Sequence, residues 1–147
     1  MTETTITGHC LCGDIQYQLN GEVVWSGYCH CESCRRFTGS VVTNWLGAKD
    51  TDLVFTKGQP TTFNTGSVTR GFCSNCGSSL TYQATHFPNY VQVHIGSLKN
   101  PNSLAPEAHV HFAEKVEWFD VADQLQRFGG SATENRNDWK ETPSNNG

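Results

Sequence analysis

The chain has 147 residues, a formal net charge of −4 and 36% hydrophobic residues, the length of one domain with a thin apolar core. Leu, Ile, Val and Phe supply only 30 residues, near the level of roughly 20% below which chains tend not to fold. An aromatic content of 11% and the small net charge nevertheless exclude a disordered chain.

Several function classes fall away at once. No apolar run approaches the ~20 residues of a membrane span, and the polar start through His9 lacks the apolar stretch of a secretory signal. Ten Lys and Arg are too few for sequence-independent phosphate binding. The expectation is a cytoplasmic protein with neither nucleic acid nor membrane as partner. Seven cysteines, an odd number without export, do not read as a disulfide framework.

In chain order, residues 14–19 place Ile15, Tyr17 and Leu19 on one side, the period-two signature of a strand. A short helical turn is predicted over 32–37. Further short strands follow at 41–46, 53–55, 61–63, 79–82 and 90–95, separated by Gly, Asn, Asp, Pro and Lys clusters. His109 and His111 share one face of another expected strand. Trp118, Val121, Leu125 and Phe128 recur at helical spacing, which predicts a short helix over 118–128. Residues 129–147 are rich in Gly, Ser, Thr, Asn and Glu, with Trp139 the single large apolar side chain, and read as a flexible C-terminal tail. The fold class is therefore mainly β with little helix, in one domain over 1–128.

The cysteines fall into three groups: Cys10 and Cys12; Cys29, Cys31 and Cys34; Cys73 and Cys76. A C-x-x-C spacing suits a knuckle, a tight turn that aims both sulfurs at one ion, and a glycine just behind it (Gly77, and Gly13 behind the first pair) lets the backbone curl round. Two such pairs supply the four thiolates of a closed structural zinc site. Such a site can contribute on the order of 10 kcal/mol to folding, which would offset the thin core. Buried apolar cysteines, redox thiols and tetrahedral iron are the competing readings. Three cysteines remain, and three protein ligands with one open position are the donor set of catalytic zinc.

Three thiolates leave zinc formally negative, a poorer Lewis acid than zinc on neutral histidines and less suited to making hydroxide. An entering thiol would still lose its proton there. The expected chemistry is sulfur addition to a small electrophile, or its reverse. Arg35 and Arg36 follow the triplet, either offsetting its charge or holding a substrate carboxylate. His30, inside the triplet, is the nearest candidate proton shuttle. A non-enzymatic zinc module for protein interaction and a four-sulfur iron protein remain as alternatives.

The runs Gly8-His9-Cys10-Leu11-Cys12-Gly13, Cys29-His30-Cys31-Glu32-Ser33-Cys34-Arg35-Arg36 and Arg70-Gly71-Phe72-Cys73-Ser74-Asn75-Cys76-Gly77, with the late Trp118-Phe119-Asp120, resemble the glutathione-dependent formaldehyde-activating enzyme family. The resemblance covers about Gly8 to Phe128. It implies an Mss4-like β-tent of antiparallel sheets. It implies two zinc ions, a structural one on Cys10, Cys12, Cys73 and Cys76 and a catalytic one on Cys29, Cys31 and Cys34. The activity it implies is that of a carbon–sulfur lyase of the S-hydroxymethylglutathione synthase type, with a thiol such as glutathione and a small aldehyde such as formaldehyde as partners.

Overall fold

The structure is a computed structural model that describes residues 5–131. Its strands are β1 (Ile6–His9), β2 (Gln16–Leu19), β3 (Trp25–Cys29), β4 (Thr43–Lys49), β5 (Leu53–Lys57), β6 (Thr61–Asn64), β7 (Val68–Phe72), β8 (Ser79–Ala84), β9 (Tyr90–Val93), β10 (Ala108–Val110) and β11 (Gln126–Arg127). A helix, α1 (Glu32–Thr38), and a few single 3-10 turns complete the elements. The protein is mainly β. No helix among the described residues is long and apolar enough to cross a membrane.

The chain divides into two compact units. The first takes the residues up to Trp25 and Leu46–Ala105; the second takes Ser26–Trp45 and the chain from Pro106 onward. Strands β3 and β4 each begin in one unit and end in the other.

In the first unit β2 lies between β1 and β5, antiparallel to both, with Ile6 opposite Leu19 and Tyr17 opposite Phe55. The later half of β4 pairs with β9 (Leu46 opposite Val93), and β9, β8, β7 and β6 continue as an antiparallel series. Alternation explains the burial: Tyr17 and Leu19 face inward in β2, and Val91 and Val93 do so in β9. Tyr17, Leu19 and Val93 join Leu46, Ala48, Ile95 and Leu98 in one core cluster. A second cluster gathers Ile15 and Leu80 around Cys10 and Cys73, so the leading cysteine of each of these two pairs is packed into apolar surroundings while Cys12 stays exposed.

The second unit departs from an all-antiparallel expectation. Strand β10 is parallel to β3 (His109 opposite Tyr28, Val110 opposite Cys29) and parallel to β11 (Ala108 opposite Gln126). Flanked on both sides, all three β10 residues are buried.

Two further sequence expectations fail here. Residues 118–128 form no helix. Trp118 is 74% exposed and the segment ends as β11. Arg127 Nη2 donates to Val121 O (2.9 Å) and Nη1 to Leu125 O (2.6 Å), so a side chain takes the carbonyls that helical N–H groups would have used. Lys115 Nζ does the same for Val116 O and Phe119 O. His109 and His111 do not share a strand face, because His111 has φ +52° and turns the chain out of β10. Of the expected tail 129–147, Gly129 and Gly130 accept backbone hydrogen bonds from Ala113 and His111. From residue 132 on, the tail lies outside the described residues.

Candidate metal centres

The first unit brings Cys10, Cys12, Cys73 and Cys76 together, their sulfurs all within 4.8 Å of one another. Two matching turns do this. In each, the N–H of the first cysteine bonds the carbonyl five residues on: Cys10 to Ile15 (3.0 Å) and Cys73 to Ser78 (3.0 Å). Gly13 (φ +84°) and Gly77 (φ +81°) occupy left-handed backbone in these turns, a conformation that costs glycine little. Backbone N–H groups of Ile15 and Cys76 point at Cys10 Sγ (3.3 Å) and Cys73 Sγ (3.5 Å), and Asn75 Nδ2 points at Cys12 Sγ (3.3 Å).

This donor set fits a tetrahedral cation. A tetrahedron of ~2.3 Å metal–sulfur bonds has edges of about 3.8 Å. Cys10 Sγ and Cys12 Sγ are 3.7 Å apart, and Cys12 Sγ and Cys73 Sγ 3.8 Å. The electrostatics agree. Hydrogen bonds from Ser78 hold the Cys76 thiol down at about 5. The Asn75 amide also favours a Cys12 thiolate, but the neighbouring Cys76 and Cys10 sulfurs outweigh it and push Cys12 up to about 11. Without a cation the cluster resists full ionisation, and a divalent ion removes that repulsion.

The second unit gathers Cys29, Cys31 and Cys34, again with all sulfurs within 4.8 Å. Cys29 ends β3, and its carbonyl accepts from Thr43 Oγ1. Cys31 is the N-cap of α1, its sulfur accepting from Cys34 N (3.3 Å). That cap places Cys34 one turn in, over Cys31. Glu114 Oε1 accepts from Glu32 N (2.9 Å) and secures the same helix start. Cys29 and Cys34 are buried, while Cys31 is half-buried. Contact with Cys31 and Cys34, and then burial, raise the Cys29 thiol far above its ordinary range. No fourth His, Cys, Asp or Glu joins this trio among the described residues.

The two arginines part company. Arg36 Nε is bonded to Glu32 Oε2 (2.7 Å) on the exposed side of α1. Arg35 Nε is buried and makes no hydrogen bond among the described residues.

Beside the trio runs a network that the sequence did not reveal as a whole. His30 Nε2 lies 2.8 Å from His109 Nδ1, and His109 Nε2 lies 2.9 Å from Asp123 Oδ2. Burial, then the neighbouring His109, Lys115 and Arg127, lower His30 to about 4. Burial also lowers His109, against the opposing pull of Asp123. Burial would raise Asp123, but hydrogen bonds from His109, Leu125 N and Arg127 prevail and hold it at about 2.

The His30 shift has a definite sign. Folded His30 stays neutral down to about pH 4, whereas unfolded His titrates near ~6.5. Between these values the unfolded chain binds the extra proton, so stability falls as pH drops. Urea unfolding at several pH values across that window should show a steeper loss for the native protein than for His30→Gln. Equal slopes would remove His30 from the account of acid sensitivity.

The family profile of the glutathione-dependent formaldehyde-activating enzyme matches residues 5–114. This stretch holds all seven cysteines, and the chain belongs to that family. An uncharacterized lyase of Schizosaccharomyces pombe is 24% identical over 121 residues, covering 82% of this chain and 88% of its own. A Halomonas elongata protein whose name places it in the same family is 23% identical over 146 residues, covering 91% and 93%. A crystal structure of a Rhodobacter sphaeroides protein superposes with a TM-score of 0.55 at 26% identity, over 67% of this chain and 94% of that one.

Proposed function

We propose that the protein is a zinc-dependent carbon–sulfur lyase or synthase acting on a thiol adduct, of the S-hydroxymethylglutathione synthase type. Its substrates are glutathione and formaldehyde, or a related thiol and small aldehyde. The observation that carries this reading is the unequal division of thiols, four in one cluster and three in the other, within a chain of the formaldehyde-activating family. Cys10, Cys12, Cys73 and Cys76 would hold the structural ion, and Cys29, Cys31 and Cys34 the catalytic one. When bound by three thiolates, zinc supplies a Lewis acid with an open position that favours the thiolate form of an entering thiol.

In the forward reaction a carbon–sulfur bond forms, the thiol gives up its proton, and the carbonyl oxygen gains one. The reverse breaks the same bond. The chain's own residues serve these needs. Half-buried Cys31 marks the side of the trio open to solvent, while buried Cys29 and Cys34 exclude water behind it. His30, which follows Cys29 and precedes Cys31 in the chain, is the candidate to accept the thiol's proton. A substrate carboxylate would be met by Arg35 or Arg36, and Arg35 is the better placed because Arg36 is already paired.

A panel of thiols and aldehydes followed by NMR tests the reading. Adduct formation should exceed a protein-free blank for at least one pair. No acceleration for any pair, with both metal sites loaded, would leave a non-catalytic zinc module as the better description.

A further inference from the structure

Asp123 lies in a segment without regular structure, 93 residues after His30 in the chain, yet one imidazole bridges the two. His109 receives the carboxylate at Nε2 (2.9 Å) and His30 at Nδ1 (2.8 Å). The rings of His30 and His109 are fully enclosed. Tyr28 stacks on His109, and Phe112 stands edge-on to both rings. These contacts hold both imidazoles in orientation.

Donor and acceptor logic then runs one way. A carboxylate only accepts, so His109 Nε2 carries a proton. A buried imidazole without charge carries only one, which leaves His109 Nδ1 bare. That nitrogen must accept from His30, so His30 carries its proton on Nε2.

We propose that Asp123 and His109 are positioning residues for His30, fixing it as the Nε2–H tautomer with a bare Nδ1. The second ring nitrogen of the imidazole between Cys29 and Cys31 is thereby an acceptor and not a donor. Its use as acceptor for the thiol's proton rests on the proposed function; the tautomer itself does not.

The other carboxylate oxygen makes the assignment testable. Asp123 Oδ1 accepts from Leu125 N (3.0 Å) and Arg127 Nη1 (2.6 Å). In Asp123→Asn the amide oxygen must stay on that side, because an NH2 there would face two donors. The NH2 then faces His109 Nε2 and requires a bare nitrogen. His109 becomes Nδ1–H and donates to His30 Nε2, and His30 becomes Nδ1–H as well. One exchange of O for NH2 inverts both rings.

Long-range proton–nitrogen correlation spectra of the full chain, reduced, zinc-loaded and labelled with nitrogen-15 histidine, read the tautomers directly. The native protein should show Nε2–H on both rings and Asp123→Asn should show Nδ1–H on both. The kcat for adduct formation should fall in the variant by ~100-fold or more, with KM little changed. A native His109 bearing its proton on Nδ1 overturns the inference and requires no variant to be folded. So does a variant that keeps the native tautomers, whereas one that inverts them with kcat intact overturns the use of His30 as the proton acceptor. A native protein with the expected tautomers but no turnover counts against the proposed function alone.

Discussion

Replacing Cys73 with Ser is expected to abolish folding under physiological conditions. Cys73 is 1% exposed and packs with Cys10, Ile15 and Leu80. Its sulfur accepts from Cys76 N, and its backbone N–H closes the turn to Ser78. A hydroxyl there would remove one of the four ligands of the proposed structural ion, and such a site can contribute on the order of 10 kcal/mol. A domain of this size is stable by only about 5–15 kcal/mol, and this one has a thin apolar core. The loss is therefore comparable to the whole margin. Circular dichroism and hydrogen exchange of the purified variant should report an unfolded or insoluble chain. A cooperative melt near the native midpoint would show that the four-cysteine cluster is not what stabilises the first unit.

Cys31→Ser is expected to do the reverse, cutting adduct formation by ~100-fold or more while leaving the fold near intact. The reason is local. Cys31 caps α1, its sulfur accepting from Cys34 N, and serine is among the preferred N-cap residues. The helix start keeps its cap, and Glu114 still accepts from Glu32 N. What disappears is one of three thiolates, and with it the expected second ion. A thermal melt alongside the thiol and aldehyde assay separates the two effects. Equal loss of folding from Cys31→Ser and Cys73→Ser would contradict the division of labour between the clusters.

The cysteine clusters were legible because ligand spacing is a local property. Cys73-Ser74-Asn75-Cys76 with Gly77 behind it spells a turn without knowledge of the rest of the fold. The same locality made β2, α1, β5 and β9 readable. The strands β3 and β11 escaped the sequence reading, and the strand expected around His109 was read without its two parallel partners, because such partners lie far apart in sequence. The failed helix over 118–128 has a different origin. Four apolar residues at helical spacing describe a face, but Trp118 stays in solvent while Arg127 and Lys115 take the carbonyls of the segment. Side-chain donors of this kind leave no periodic trace.

The same misreading concealed the His30–His109–Asp123 network. Asp123 falls inside the supposed helix, and His109 was paired by spacing with His111, which instead turns away and meets Glu114. Only tertiary contact, across 79 residues for the two imidazoles, brings the three groups into line. Glu114, which secures the start of α1 from the neighbouring turn, was invisible for the same reason.

The most direct measurement is the zinc content of protein purified under reducing conditions, compared with that of Cys34→Ser. The native chain should carry about two zinc ions and the folded variant about one, since the four-cysteine set is untouched. A native ratio near one that Cys34→Ser leaves unchanged would contradict the existence of the second centre, and with it the proposed chemistry.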